Sequence, residues 1–351
     1  MPVSLLDARY DQGIAWTALL RGEERAARAL LLAFRGQVEA AVGRSGRRVL
    51  SLVAAGLVRA ARFRHREELV ALARALGVSP GELLLGNLAY ELDNAAGCSS
   101  FVRDGRPGPL HARNLDWNFP GRLLRDHVAV VRVRGAPRGD YALVTWPGLI
   151  GALTAVAPAR FSLAVNYVRH ASQSRPVKFL RRAAGGHWAV TWAVRRALEE
   201  ARDFGEAVAF LSEVPLLAPA LLSVAGARPG EGLVIERTAT GHAHRRMEGG
   251  VVGVTNHYLT EGHRGENVDL SAEDTLERFA ALRSAPLARV ADVGAALGLL
   301  SRPDILRDRT QVQVAMCAAT GALAVQVPGE PAVGVPLGAG APGWPLPGGD
   351  G

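Results

Sequence analysis

The residues with the richest chemistry lie in one short stretch, AAGCSSFVRDGRPGPLHARNLDWNF, residues 95–119. Gly97-Cys98 falls there at a change from helical to strand-like pattern, and Arg113 and Asp116 follow on the next expected strand and its exit turn. If CSSFV (98–102) and LHAR (110–113) pair as a hairpin, Arg113 and Asp116 return beside Cys98. A free thiol has a pKa of about 8.5, so only a few per cent is thiolate near neutrality. A guanidinium beside the sulfur favours thiolate, and a carboxylate can orient a neighbouring donor. The trio still lacks a general base. His111 lies two residues before Arg113 and, by strand alternation, on its face. Its surroundings match neither a papain-like nor a caspase-like pattern. The other candidate is the α-amine of Cys98, freed if the Gly97–Cys98 bond is cut. Such an amine titrates at roughly 7.7–8.0 and can activate its own side chain. Gly97 puts no side chain in the way of attack at its carbonyl.

Several segments in order carry a resemblance: GELLLGNLAYEL (81–92), CSSFV, HARNLDWNF (111–119), GLIGALTAVAPARFSLAVN (148–166), LLAPALLSVAGARPGEGLVIER (216–237) and VTNHY (254–258). Over roughly residues 65 to 330 the sequence resembles the N-terminal-nucleophile cysteine amidases of the acid ceramidase and N-acylethanolamine acid amidase family. It is more distantly similar to choloylglycine hydrolases and isopenicillin N acyltransferases. The R-N-L-D core of HARNLDWNF is the most specific part. The resemblance implies that Cys98 is both the self-cleaving and the catalytic nucleophile, and that its freed amine is the base. Arg113 would contact the sulfur, and Asp116 would hold the α-amine. Asn256 would donate a side-chain N–H to the oxyanion, and Asn166 would sit in the pocket-lining region. Arg278, in DTLERF, is either a second site arginine or a solvated helix charge. The pattern departs at Tyr167, where ceramidase-like members carry glutamate.

The elements that must position these residues change character near residue 97. Before it, helical spacing runs from Trp16 to about Val42, from Arg66 to Leu76, and from Ser79, where Pro80 and Glu82 complete a capping box. After it, strands are expected at 98–102, 110–113, 127–134, 141–146, 161–166, 232–237, 251–255, 311–316 and 322–327. Helices are expected near 187–202, 205–213, 271–283 and 289–300. This alternation reads as a layered α+β protein with largely antiparallel sheets. The resemblance sharpens it to a four-layer αββα sandwich. The expected division is a helical segment 1–97, a catalytic domain 98–330, and a Pro/Gly-rich tail 331–351 forming a surface strap or a disordered end. Cleavage would leave fragments 1–97 and 98–351 associated.

Composition closes off other classes. With two cysteines, Cys98 and Cys317, a disulfide framework and a cysteine-rich zinc ribbon are excluded, and Cys317 reads as a buried small hydrophobe. The net charge of +8 comes from scattered arginines interrupted by acids, and Lys178 is the only lysine. That is a solvated basic surface rather than a nucleic-acid stripe, and aromatics at 6% are too sparse for base stacking. The nine histidines show no H-x-x-x-H, and no Walker sequence occurs, so no metal and no cofactor is expected. The start, MPVSLLDARYDQG, lacks a basic-then-apolar leader, and no apolar run approaches the ~20 residues of a membrane span. A cytoplasmic enzyme without stable membrane insertion is the expectation. Its substrate would be a small-molecule N-acyl amide, with an acyl groove near 117–124 and 146–161. The rivals are acyl transfer to an amine or β-lactam acceptor and a non-catalytic lipid-binding relative.

Overall fold

The computed structural model describes residues 3–20, 22–60, 65–92, 96–119, 121–169, 181–183, 185–238, 240–270 and 274–337. Two sheets face each other. The larger contains β1 (Val3–Arg9), β4 (Val128–Arg134), β5 (Tyr141–Thr145), β6 (Thr154–Ala157), β7 (Phe161–Asn166), β8 (Ala220–Gly226), β9 (Gly232–Arg237) and β10 (His242–Arg246), in that spatial order. The smaller runs β11 (Val251–Val254), β2 (Ala96–Arg103), β3 (Leu110–Trp117), β12 (Thr310–Cys317), β13 (Ala322–Gln326) and β14 (Val333–Pro336). All pairings between these strands are antiparallel except β1 with β4.

Helices cover the outer faces. Those preceding β2 are α1 (Trp16–Leu19), α2 (Glu24–Ala60), α3 (Arg66–Leu76), α4 (Pro80–Asn87) and α5 (Ala89–Leu92). They are followed by α6 (Leu123–Asp126), α7 (Val190–Glu200), α8 (Phe204–Glu213), α9 (Glu261–Arg264), α10 (Thr275–Ser284) and α11 (Val293–Leu300). Helices α7 and α8 lie on β7, β8 and β9. On the far side, Leu282, Leu297 and Leu300 pack on Phe101, Ala112 and Ala315 of the smaller sheet. Cys317 joins this layer as a buried apolar group.

Why the chain makes these elements is legible locally. Ser79 caps α4: its Oγ accepts from Glu82 N at 3.2 Å, while the Glu82 carboxylate accepts from Ser79 N at 3.3 Å. Gly43 breaks α2 with φ 73°, a conformation that costs glycine little. Gly81 lets α4 press on the second half of α2, since a Cβ there would lie 2.2 Å from Ser51 O. No single helix among the described residues is long and apolar enough to cross a membrane.

Four strands depart from the sequence expectation. Residues 3–9, expected within a helical segment, form β1, a strand added parallel to β4. Its VSLLDAR lacks clean alternation, and its order comes from the partner strand. β6 and β8 were not anticipated either. β8, ALLSVAG, is buried on both faces, so it reads as an unbroken apolar run rather than an alternating one. In the tail, Val333–Pro336 pairs with β13 as an edge strand, and residues 338–351 lie outside the described residues.

A buried ionic cluster ties the segment before β2 to the rest. Glu68 of α3 accepts from Arg195 of α7 at 2.6 and 2.7 Å, from Trp16 Nε1 at 2.6 Å and from Ile14 N at 3.0 Å. Burial opposes ionisation of Glu68, but hydrogen bonds from His65 and Arg195 and their charges outweigh it. Its pKa falls from 4.5 to about 2. A carboxylate with a depressed folded pKa stabilises fully above about 4.5 and loses that contribution as pH falls toward about 2. Glu68→Ala removes the carboxylate on the Arg195 fork, leaving Glu199 at 2.9 Å from Nε, and is expected to cost about 2–3 kcal/mol in urea unfolding. Below pH 4 the gap between wild type and variant should narrow. A constant gap from pH 7 to pH 3 would contradict the assignment.

Candidate active site

The β2–β3 hairpin sets the site. Its register pairs Gly97 with Asp116, Cys98 with Leu115 and Ser100 with Arg113. Alternation therefore sends Cys98, Ser100 and Arg113 toward the larger sheet, and Gly97 and Asp116 toward α10. Arg113 is fully buried; its Nη2 donates to Cys98 Sγ at 2.7 Å and its Nη1 to Thr154 Oγ1 at 2.8 Å. Thr154 belongs to β6, which sequence reading missed, so the group steering Arg113 was missed with it.

On the opposite face Arg278 of α10 reaches back across β2. It is wholly buried, not a solvated helix charge. Its Nη1 donates to the Cys98 carbonyl and, at 2.9 Å, to Ser99 Oγ. Its Nη2 donates to Asn256 Oδ1 at 2.7 Å, and Asp116 Oδ2 lies 3.8 Å from Nη1. The signal was present in TLERFAALRS: Thr275, Arg278 and Leu282 share one helical face, and all three are buried.

Asn256 follows β11 and bridges both sides of the nucleophile. Its Oδ1 accepts from the Cys98 backbone N–H at 2.9 Å, and its Nδ2 donates to Tyr167 O at 2.7 Å. Thr275, unnoticed in the sequence, accepts the Asn256 backbone N–H on its Oγ1 at 2.9 Å. Asn166 is fully buried. Its Oδ1 accepts from Ser100 Oγ at 2.6 Å, and its Nδ2 donates to Val254 O and Thr255 O at 3.3 and 3.0 Å. It fixes the backbone that presents Asn256. Thr310 Oγ1 donates to Asp116 Oδ1 at 2.7 Å, while Oδ2 is buried without a hydrogen bond and faces the Arg278 charge at 3.8 Å.

Electrostatics bear on the question of the base. Burial pushes the Cys98 thiol above its ordinary value; Arg113, the Tyr167 backbone and Arg278 oppose this, and Asp116 adds to it. The sulfur of the continuous chain is thus held as thiol, and its activation needs a proton acceptor. His111 does not supply one. Its ring nitrogens are engaged by Ser162 Oγ at 3.0 Å and Ser223 Oγ at 2.8 Å. Burial, reinforced by the Arg113 charge, depresses its pKa to about 3. His257, next to Asn256, is likewise lowered by burial to about 4, and its Nδ1 lies 2.9 Å from Thr275 Oγ1.

Beside this cluster is an apolar cavity lined by Tyr90, Trp117, Trp146, Leu149 and Leu153. Leu153 and Trp117 connect it to the nucleophile: the Leu153 carbonyl accepts from Arg113 Nη1 at 3.4 Å, and Trp117 ends the strand carrying Arg113. Tyr90 comes from α5 and meets Trp117 and Tyr167 edge-on, with centroids 5.9 and 6.1 Å apart. Among the described residues no group of three or more His, Cys, Asp or Glu could hold a metal ion.

Two facing sheets flanked by helices make a four-layer αββα sandwich, the fold of the N-terminal-nucleophile hydrolases. The structure aligns with a Caenorhabditis elegans N-acylethanolamine-hydrolyzing acid amidase ortholog at TM-score 0.51 and 21% identity, covering 63% of this chain and 93% of that one. In sequence its homologues include N-acylethanolamine-hydrolyzing acid amidases and acid ceramidases. The rat amidase (Rattus norvegicus) is 32% identical over 169 residues, 48% of this chain and 45% of the relative. The rabbit amidase (Oryctolagus cuniculus) is 34% identical over 174 residues, 48% and 46%. The acid ceramidase of Balaenoptera acutorostrata scammoni is 27% identical over 186 residues, 49% and 46%. The chain spans about half the length of the curated relatives it matches. No family model matches it.

Proposed function

We propose that the chain is a self-activating cysteine amidase that hydrolyses the linear amide bond of N-acyl amides through an acyl-thioester on Cys98. The observation that carries this is the 2.7 Å contact of a fully buried guanidinium, Arg113, with a cysteine sulfur one residue beyond a glycine. The names of the homologues support it, being amidases and ceramidases that share about half their length with this chain.

The chemistry follows from the groups present. Cutting Gly97–Cys98 frees an α-amine, which supplies the acceptor that the buried thiol lacks. Asp116 Oδ2, without a hydrogen bond in the continuous chain, takes the resulting ammonium. The amine removes the thiol proton as sulfur attacks the substrate carbonyl, and returns it to the departing amine. Arg113 holds negative charge on sulfur. Asn256 Nδ2, now on Tyr167 O, turns to the oxyanion. The acyl chain is assigned to the cavity lined by Tyr90, Trp117 and Trp146, whose volume of about 20 Å³ must widen to take it, and water resolves the thioester.

The test is a panel of N-acylethanolamines and N-acylsphingosines with a range of acyl lengths, read by released amine, beside an activated acyl ester as a covalent probe. The expected result is amine release, with one acyl mass added to the fragment that begins at Cys98. No release across the panel, together with an unlabelled Cys98, would favour the non-catalytic relative.

A further inference from the structure

Two buried polar atoms without hydrogen bonds flank the Gly97–Cys98 link. One is Asp116 Oδ2 and the other is Arg309 Nε. A Cβ placed on Gly97 would lie 3.4 Å from Asp116 Cβ and 3.6 Å from Arg309 Nε. One stretch of chain aims both. Arg309 and Thr310 are consecutive where β12 enters the sheet, and Trp117 N donates to Arg309 O at 2.9 Å. Thr310 in turn holds Asp116 Oδ1 at 2.7 Å. The β12–β3 register shifts between Thr310 and Val312, an irregularity of the kind that re-aims side chains. Among the described residues the acid paired with Arg309 is Asp274, whose Oδ2 is 3.4 Å from Arg309 Nη2 and also 3.4 Å from Arg307 Nε. One carboxylate is therefore shared by two guanidiniums.

Hydrolysis of a peptide bond makes two ions that complement these two orphans. Cys98 Sγ adds to the Gly97 carbonyl carbon, and the C–N bond breaks as the thiol proton passes to the nitrogen. Water then splits the thioester into the Gly97 carboxylate and the Cys98 thiol, and the remaining proton converts the amine to ammonium. The ammonium suits Asp116, as proposed above. We infer that Arg309 is the binding site for the α-carboxylate that this cleavage creates on Gly97. Arg278 is also near, with Nη2 3.4 Å from the same Cβ position, but that nitrogen already donates to Asn256 Oδ1 at 2.7 Å. Buried polar groups are rarely left unpaired in a finished structure, and a planar guanidinium matches a carboxylate well. A carboxylate held in this way stays ionised. It is then a poor electrophile, so rejoining to the neighbouring amine is suppressed.

The inference rests on the self-cleavage reading, and a thermal cycle separates the two. Unfolding is followed for the cut wild-type protein and the uncut Cys98→Ala chain, each with and without Arg309→Gln. Arg309→Gln is expected to lower Tm in the cut protein by roughly 3 °C more than in the uncut chain. Arg309→Lys, which keeps the charge and loses the planar fork, should recover part of that difference. It also carries the comparison if Arg309→Gln fails to fold or to cut. Equal shifts in the cut and uncut backgrounds would make Arg309 a structural residue only and overturn the inference, leaving self-cleavage standing. A wild-type chain that stays whole would overturn both.

Discussion

Cys98→Ala is expected to remain a single chain of 351 residues and to lose amide turnover by a factor on the order of 10⁴ to 10⁶. The size of the loss follows from the sulfur's double task. Without it no thioester forms at Gly97, so the α-amine is never released, and no acyl-enzyme forms with substrate. The two losses are not additive, because the base arises only from the first. The substitution is small in volume: Cys98 is wholly buried, and alanine removes one heavy atom, though it takes from Arg113 Nη2 the sulfur it donates to. Released amine and intact mass, measured on the same sample, give the check. Turnover within tenfold of wild type would remove Cys98 from the reaction.

Asn256→Ala is expected to lower kcat by about 10² to 10³ with a smaller change in KM. The Nδ2–H is assigned to an oxyanion that exists only during reaction, so its loss weakens the transition state more than the bound substrate. The variant should also cut itself more slowly. Asn256 Oδ1 accepts both the Cys98 N–H at 2.9 Å and Arg278 Nη2 at 2.7 Å, so alanine removes an acceptor that two buried donors share next to the scissile link. Single-turnover rates on material already cut separate the two effects. A kcat unchanged within twofold on fully cut protein would take Asn256 out of the oxyanion site.

The hairpin and its trio were legible because their signals are local. CSSFV and HARNLD alternate around a Pro/Gly turn, and a two-residue period places Arg113 on the side of Cys98 without further information. The capping box at Ser79 is read from four consecutive residues for the same reason. The groups that complete the site come from far along the chain. Thr154, Thr275, Arg309 and Thr310 are ordinary residues whose meaning arises only when β6, α10 and β12 meet the hairpin. Arg278 lay between these cases, since its buried helical face is visible in sequence but its reach to the Cys98 carbonyl is not. His111 shows the converse. Its position in sequence suits a base, yet Ser162 and Ser223 on the facing sheet hold it as an uncharged link between the sheets.

The measurement closest to the central claim is intact-mass analysis of the freshly purified wild-type protein, with N-terminal sequencing of each component. The account predicts two species held together, residues 1–97 and 98–351, the larger beginning Cys-Ser-Ser-Phe. A fully active preparation containing only the unbroken chain from Met1 would contradict it.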